Sequence, residues 1–394
     1  MDATPYVLSI DHLLSEEERL TWSASREFCE RRVAPVIDRH YEAATFPRDL
    51  IAEFAEMGFL GSTLEGYGCA GMGPVAYGLT MIELERQDSG IRSFCSVQSA
   101  LAMWPIYSYG SEAQKERWLP PMARGEVIGC FGLTEPNSGS DPGSMRTHAV
   151  QEGPNGDYIL NGQKFWITNS PLADLCVVWA KTVDHGADKP VIRGFLVERG
   201  MKGLSTPETK GKLSLRASVT GEIVLDDVRV PRANLLPKVQ GLRGPLGCLT
   251  QARYGIGWGA IGSAMAVYER ARSYTLDRMQ FGRPIAGFQL TQQKLVELHN
   301  GIVKGLLLAH HCGRLKQGGK LTPVQVSVLK RDNVRMALEA ARSARSMLGG
   351  NGIMGEYQIM RHLCNLETVF TYEGTHEIHM LAIGRALTGL SAFS

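Results

Sequence analysis

Glu373 stands in Thr371-Tyr372-Glu373-Gly374-Thr375, between two stretches of helical spacing, where Gly374 frees the backbone and Thr375 is placed to cap the following helix. A carboxylate at such a junction is either a surface residue or, held in an apolar pocket, a base of raised pKa able to take a proton from carbon. Arg92 is the second informative residue. On a helix it aligns with Ser96, Ser99 and Met103, while Phe94, Val97, Leu101 and Trp104 make the remaining surface largely apolar. A guanidinium on such a helix needs a partner: Glu83 or Glu85 in a structural ion pair, or the carboxylate of a ligand.

The run Phe131-Gly132-Leu133-Thr134-Glu135-Pro136-Asn137-Ser138-Gly139-Ser140-Asp141 is dense in hydroxyls and glycines suited to hydrogen-bonding a polar ligand. Trp166-Ile167-Thr168 offers a flat aromatic wall beside a hydroxyl, although Trp and Thr in a strand also serve as core and edge. Two motifs carry no chemistry. Gly66-Tyr67-Gly68-Cys69-Ala70-Gly71 matches a dinucleotide fingerprint but lacks the preceding strand and following helix, so it reads as a loop. His376 and His379 are three apart rather than the four of a zinc helix, so both are assigned to helix packing.

The elements that position these residues come in three blocks. Residues 1–128 read as helices, with a capping box at Ser15-Glu16-Glu17-Glu18, helical spacing over 49–57 and 75–87, a break at Asp88-Ser89-Gly90 and Pro105 bending or ending the next helix. Residues 129–240 read as β, with a hairpin at Asn161-Gly162 and further strands over 175–180, 193–198 and 222–225, fitting a compact barrel or sandwich. Residues 241–394 return to long helices over 260–278, 288–317 and 324–348, the last opened by Thr322-Pro323 and ended by Gly349-Gly350, as in a helical bundle. The predicted class is multidomain α+β, helical at both ends around a β unit.

Composition narrows the function. Lys and Arg number 42 against 40 Asp and Glu, a formal charge of +2, which argues against nucleic acid as a partner. The 8 cysteines contain no Cys-x-x-Cys pair, which favours a reducing compartment. No stretch reaches the roughly 20 apolar residues of a membrane span. The acidic N-terminus lacks a basic leader, so a bacterial cytoplasm is expected, or the mitochondrial matrix for a processed chain.

Taken together, the α, β, α order with FGLTEPNSGSD, KFWITNS, DRMQFG followed by Gln289, MLGGNGI and TYEGTHEIH resembles the acyl-CoA dehydrogenase family over nearly the whole chain. RSFCSVQSAL around Arg92, SLRAS, ARYGIGWG and EGTHEIHMLAIGRALTG are most similar to its glutaryl-CoA subgroup. The resemblance implies the three-domain fold, closed by a four-helix bundle, and FAD held by Phe131, Leu133, Thr134, Gly139, Ser140, Trp166, Ile167 and Thr168. It implies that Arg278, Phe281, Gln289 and Gly349, Gly350, Asn351 and Gly352 reach a neighbouring subunit's FAD in a homotetramer, and that Thr375, Glu377 and Phe393 lie near the flavin.

For the acyl-CoA site it implies Arg92, Ser93, Ser96, Ser140, Ala252, Arg253, Tyr254, Gly255, Gly259, Tyr372 and Gly374. Glu373 is then the catalytic base for α,β-dehydrogenation of glutaryl-CoA, Arg92 clamps the distal carboxylate, and electrons pass to electron-transferring flavoprotein. Tyr372 and Glu85 match decarboxylating members, which implies crotonyl-CoA and CO2 as products. Glu377 is a carboxylate where many straight-chain members carry an amide, and it donates no hydrogen bond unless protonated. The rival is a short-chain or branched-chain dehydrogenase without decarboxylation, in which Arg92 only pairs with Glu85.

Overall fold

Ser15 opens the first helix as its residue type predicts: its Oγ accepts from the Glu18 N–H at 3.2 Å, and Glu18 Oε2 accepts from the Ser15 N–H at 2.8 Å. The computed structural model describes residues 6–393. Helix α1 (Glu16–Phe28) passes through a π turn at Cys29–Val33 into α2 (Ala34–Ala43), which carries Pro35 in its first turn, where a missing N–H is harmless. Then follow α3 (Leu50–Glu56), α4 (Pro74–Gln87), α5 (Ser89–Ser96), α6 (Trp104–Tyr109) and α7 (Glu112–Ala123). Residues 66–71 form a loop. Between α5 and α6 the chain winds as a π-helix over Val97–Met103, so regular α structure ends at Ser96 and Pro105 sits in the first turn of α6 rather than bending a helix.

The middle segment is one seven-stranded sheet of β1 (Gly129–Gly132), β2 (His148–Gln151), β3 (Tyr158–Thr168), β4 (Leu175–Val183), β5 (Val191–Glu198), β6 (Leu204–Ser205) and β7 (Thr220–Val230). β4 carries β1 and then β2 in parallel along one edge and β5 antiparallel along the other; β3 pairs with β2 and β7, and β6 closes on β7. The hairpin expected at Asn161-Gly162 does not form there. β3 runs straight through it, and the turn falls at 152–157, where the Glu152 N–H donates to Asp157 O at 2.9 Å. Asn161 instead exchanges hydrogen bonds of 2.9 Å with Asp227 across a bulge, and a Cβ on Gly162 would stand 2.5 Å from Thr147 Oγ1. The glycine there admits the close approach of Thr147 rather than a turn.

After it come α8 (Arg243–Asp277), the ribbon β8 (Met279–Gln280) with β9 (Arg283–Pro284), α9 (Gln289–Gln317), α10 (Pro323–Met347), α11 (Ile359–Thr371) and α12 (His376–Thr388). α8 begins well before the expected Ala260, because its glycines, costly to an isolated helix, mark close approach to neighbours. A Cβ at Gly257 would fall 2.5 Å from Leu329 Cγ and one at Gly262 would fall 2.0 Å from Ile82 O. α8 to α11 pack as a bundle with α12 against α10. One core joins α1 and α4 to this bundle, a second joins the π-helix and α7 to the sheet, and a third lies within the sheet.

Candidate active site

α11 ends at Thr371, and the next residues reverse the chain: Glu373 takes φ +52° and Gly374 φ +91° before Thr375 Oγ1 accepts the Ile378 N–H at 3.2 Å and caps α12. A left-handed glutamate costs on the order of 1–2 kcal/mol, so surrounding bonds must fix it. Lys330 Nζ, from α10, donates to the carbonyls of Tyr372 (2.9 Å) and Gly374 (2.8 Å). Arg253 Nε, from α8, donates to the carbonyl of Glu373 itself at 2.6 Å. Glu373 keeps some exposed surface, but its carboxylate oxygen Oε2 is buried and has no hydrogen-bond partner. Burial pushes this carboxyl above the usual range, against the opposing pull of Arg92, Arg253 and Lys330.

Arg92 is fully buried on α5. Asp88 caps that helix, its Oδ1 accepting the Gly90 N–H at 2.7 Å, and its Oδ2 is held by Asn365 (2.8 Å) and Arg361 (3.1 Å) from α11. Arg92 Nε donates to Glu85 Oε2 at 2.6 Å, Nη2 donates to the Tyr372 hydroxyl, and Nη1 is buried without a partner. Ser89 Oγ occupies the other Glu85 oxygen at 2.9 Å, and Ser93 Oγ lies 3.2 Å from the Tyr372 hydroxyl. Ser96 Oγ and the Tyr77 hydroxyl are also buried and unpartnered. Burial pushes the Tyr77 phenol up to about 12, with the Arg92 charge pulling it back, so it stays a neutral donor. Burial likewise takes Tyr372 to about 12.

The expected acyl-site residues thus divide. Arg92, Ser93, Arg253, Tyr372 and Gly374 meet around Glu373. Gly255 and Gly259 adjoin them, since a Cβ would lie 2.6 Å from the Tyr77 hydroxyl at the first and 2.2 Å from Glu85 Oε2 at the second. Ala252 is buried one turn away, whereas the Tyr254 hydroxyl is committed to Pro74 O at 2.9 Å. Gly139 and Ser140 are exposed on the loop after β1.

Of the residues expected at flavin, Phe131 and Ile167 are buried in the sheet, Leu133 is buried just after β1, and Thr134 and Thr168 are half-buried. Trp166 takes φ +61° at a β3 irregularity and is 57% exposed, turning its indole outward. Arg278, Phe281 and Gln289 stand at the outer end of α8, the ribbon and the start of α9; Phe281 is 94% exposed. Gly349 and Gly350 are exposed, Gly352 is buried, and Asn351 Nδ2 donates to the Tyr274 hydroxyl at 3.0 Å. None of this outer group hydrogen-bonds to Glu373, Arg92 or Tyr372. Thr375 caps α12, Glu377 is exposed in its first turn, and Phe393 is half-exposed.

The histidines pack as expected: His376 stacks on Phe370 with ring centroids 4.4 Å apart, and buried His379 pairs its Nδ1 with Ser327 Oγ at 3.0 Å. Burial holds the His379 pKa at about 3, so it is neutral at ordinary pH. Among the described residues no group of three His, Cys, Asp or Glu is placed to hold a metal, and no helix is long and apolar enough to cross a membrane. Sequence reasoning missed Lys330 and Tyr77. The signal for Lys330 was its spacing, four residues from Val326 and Val334 on the inward stripe of α10.

The acyl-CoA dehydrogenase N-terminal, middle and C-terminal domain families match residues 15–126, 130–228 and 239–388. A crystal structure of glutaryl-CoA dehydrogenase from Mycobacterium smegmatis is 53% identical, with TM-score 0.94 and 98% of each chain covered. A second structure of such an enzyme from that organism, in complex with FADH2, is 50% identical with TM-score 0.94, covering 98% of this chain and 97% of the other. An acyl-CoA dehydrogenase of Bacillus subtilis is 35% identical over 379 residues, 95% of this chain and 99% of its own.

Proposed function

The chain belongs to the acyl-CoA dehydrogenase family, and from that premise we propose that it oxidises glutaryl-CoA and releases CO2, giving crotonyl-CoA. The observation that carries this reading is Arg92 Nη1, buried and unpartnered while Nε and Nη2 hold Glu85 and Tyr372. While Lys330 is protonated, three cations, Arg92, Arg253 and Lys330, face two carboxylates, Glu85 and Glu373, so the site then holds one more positive charge than negative until a ligand brings a carboxylate. A short-chain acyl group would leave Nη1 dry and unsatisfied, a penalty of about 1–3 kcal/mol or more.

FAD is the cofactor, as the FADH2 complex of the Mycobacterium smegmatis relative indicates, and the residues present fit it. The exposed indole of Trp166 on left-handed backbone supplies a flat wall, the Thr134 to Ser140 loop supplies hydroxyls and open backbone, and Asn169 nearby has a buried, unpartnered amide. When bound, FAD supplies a two-electron acceptor for the β-hydrogen.

The chain's own residues do the rest. Arg92 Nη1, with Ser96 and Tyr77 beside it, binds the distal carboxylate and fixes how far the thioester enters. Glu373 Oε2 takes the α-proton, a role helped by its raised pKa. The γ-carboxylate then departs as CO2, its bonding pair entering the conjugated thioester, and Glu373 returns its proton to the γ-carbon. The base ends as it began. Electron-transferring flavoprotein is the proposed acceptor of the electrons, and a homotetramer the proposed assembly, supported by exposed Phe281, Leu290, Leu387 and Leu390 in the C-terminal unit.

The test is Arg92→Met assayed on two substrates. For glutaryl-CoA, kcat/KM should fall about thirtyfold or more, corresponding to 2–5 kcal/mol for a truncated buried charge pair. Butyryl-CoA, lacking the distal carboxylate, should lose far less. Equal losses on both substrates remove the clamp.

A further inference from the structure

We infer that Lys330 is the positioning residue of this site, the buried side chain that sets both where the Glu373 carboxylate stands and the charge it feels. The inference rests on Glu373 acting as the base. Lys330 is 1% exposed and forms no ion pair among the described residues. A buried lysine of that kind has lost its solvent shell and must be retained by what it touches. Its hydrogen bonds go to backbone, the carbonyls of Tyr372 and Gly374 on either side of the base, at 2.9 and 2.8 Å, and its Nζ also lies 5.9 Å from the centroid of the Tyr372 ring. With Arg253 Nε on the carbonyl between them at 2.6 Å, three consecutive carbonyl oxygens of the α11–α12 junction are bound by side chains from α10 and α8. No helix or strand ladder holds these groups, so the two cations hold the strained φ of +52° at Glu373.

Each carbonyl needs one N–H, and a neutral amine has two, so the strap survives loss of the Lys330 proton while its charge does not. Burial draws the Lys330 pKa down to about 7, with Glu373 and, more weakly, Glu377 raising it and Arg253 and Arg92 lowering it. At lower pH the ammonium is therefore charged and favours the carboxylate form of Glu373. The other charged and titratable groups around Glu373 and Lys330 are Arg92 of α5, Arg253 of α8, Glu85 and Tyr77 of α4, Tyr372 at the end of α11, and Glu377 and neutral His379 of α12. Arg92 is already engaged by Glu85, which leaves Lys330 and Arg253 as the cations with no carboxylate of their own. A lysine serving stability alone would affect melting but not the titration of the base.

Lys330→Met, Lys330→Gln and Lys330→Arg, each loaded with FAD and checked by thermal melting, are followed through the reductive half-reaction from pH 5 to 9. Both butyryl-CoA and glutaryl-CoA are used, so the result does not depend on which substrate is natural. Met is expected to lower the plateau rate about tenfold to a hundredfold and to move the acid limb up by about one pH unit. Gln, which keeps two N–H donors without charge, is expected to recover the plateau but show the same shift, and Arg to restore the limb. If Met does not fold, Gln decides the matter. An acid limb unmoved in Met and Gln overturns the inference, whether or not the plateau falls. Glu373→Gln serves as the separate control: turnover there overturns the base assignment, whereas an inactive Glu373→Gln beside an unshifted Lys330→Gln overturns only the role of Lys330.

Discussion

A base that takes a proton from carbon works better as it loses solvent, and at Glu373, the proposed base, burial raises the pKa while Arg92, Arg253 and Lys330 keep the anion within reach. Glu373→Gln should therefore retain FAD but slow its reduction by substrate about 10^2- to 10^4-fold, the span of general-base catalysis. The same raised pKa has a consequence for stability. The native state holds the Glu373 proton at a pH where the unfolded chain has released it, so stability falls as pH rises through the native pKa. Glu373→Gln should melt higher than wild type at pH 8, with the difference vanishing below the ordinary carboxylate range; a lower melting temperature at pH 8 contradicts the desolvation account. At this scale the sequence exposed Glu373 and Arg92, because a charge at a helix junction or on an apolar helix is conspicuous. It concealed Lys330, because lysine on an amphipathic helix ordinarily faces solvent and only its place on the inward stripe distinguishes it.

At the scale of elements, α4, α5 and α8 must approach closely for Arg92 and Glu85 to meet, and Gly259 permits it. Gly259→Ala places a Cβ 2.2 Å from Glu85 Oε2 and 3.2 Å from Arg92 Nε. It should cost about 1–3 kcal/mol on overpacking grounds and weaken discrimination for glutaryl-CoA. Gly384→Ala on α12, with no atom within 4 Å, should instead stabilise by about 0.4–1 kcal/mol. Urea denaturation of both variants checks the contrast. These glycines also explain what was read wrongly. The start of α8 was hidden because a glycine-rich run lowers local helix propensity, and only tertiary packing repays it. Asn161-Gly162 carried turn chemistry, yet the strand continued because Gly162 was needed for the approach of Thr147. Caps were legible at Ser15, Thr322 and Thr375, since each is satisfied within its own first turn, whereas Asp88, read as a break, caps α5.

Across the whole molecule, helical units at both ends enclose the Glu373 site, while Trp166 and Phe281 present aromatic faces outward. In the proposed tetramer Phe281 is covered by a neighbour. Wild type should sediment at four times the 43.2 kDa chain mass, and Phe281→Asp should dissociate and lose FAD together. A tetramer retaining FAD in that variant contradicts the arrangement. The α, β, α order was legible because hydrophobic periodicity changes from helical to alternating and back. The contact of α4 with α8 that builds the proposed acyl site was not, since it joins residues as far apart in sequence as Glu85 and Ser263, a separation of 178.

The central claim is that a distal carboxylate, held by Arg92, is lost as CO2 after Glu373 opens the reaction. It is tested most directly by mixing the FAD-loaded protein with glutaryl-CoA in the absence of oxygen, following flavin absorbance and weighing the acyl product by mass spectrometry. Bleaching accompanied by crotonyl-CoA and CO2 is the predicted result. No bleaching with glutaryl-CoA, while butyryl-CoA bleaches the same sample, contradicts it.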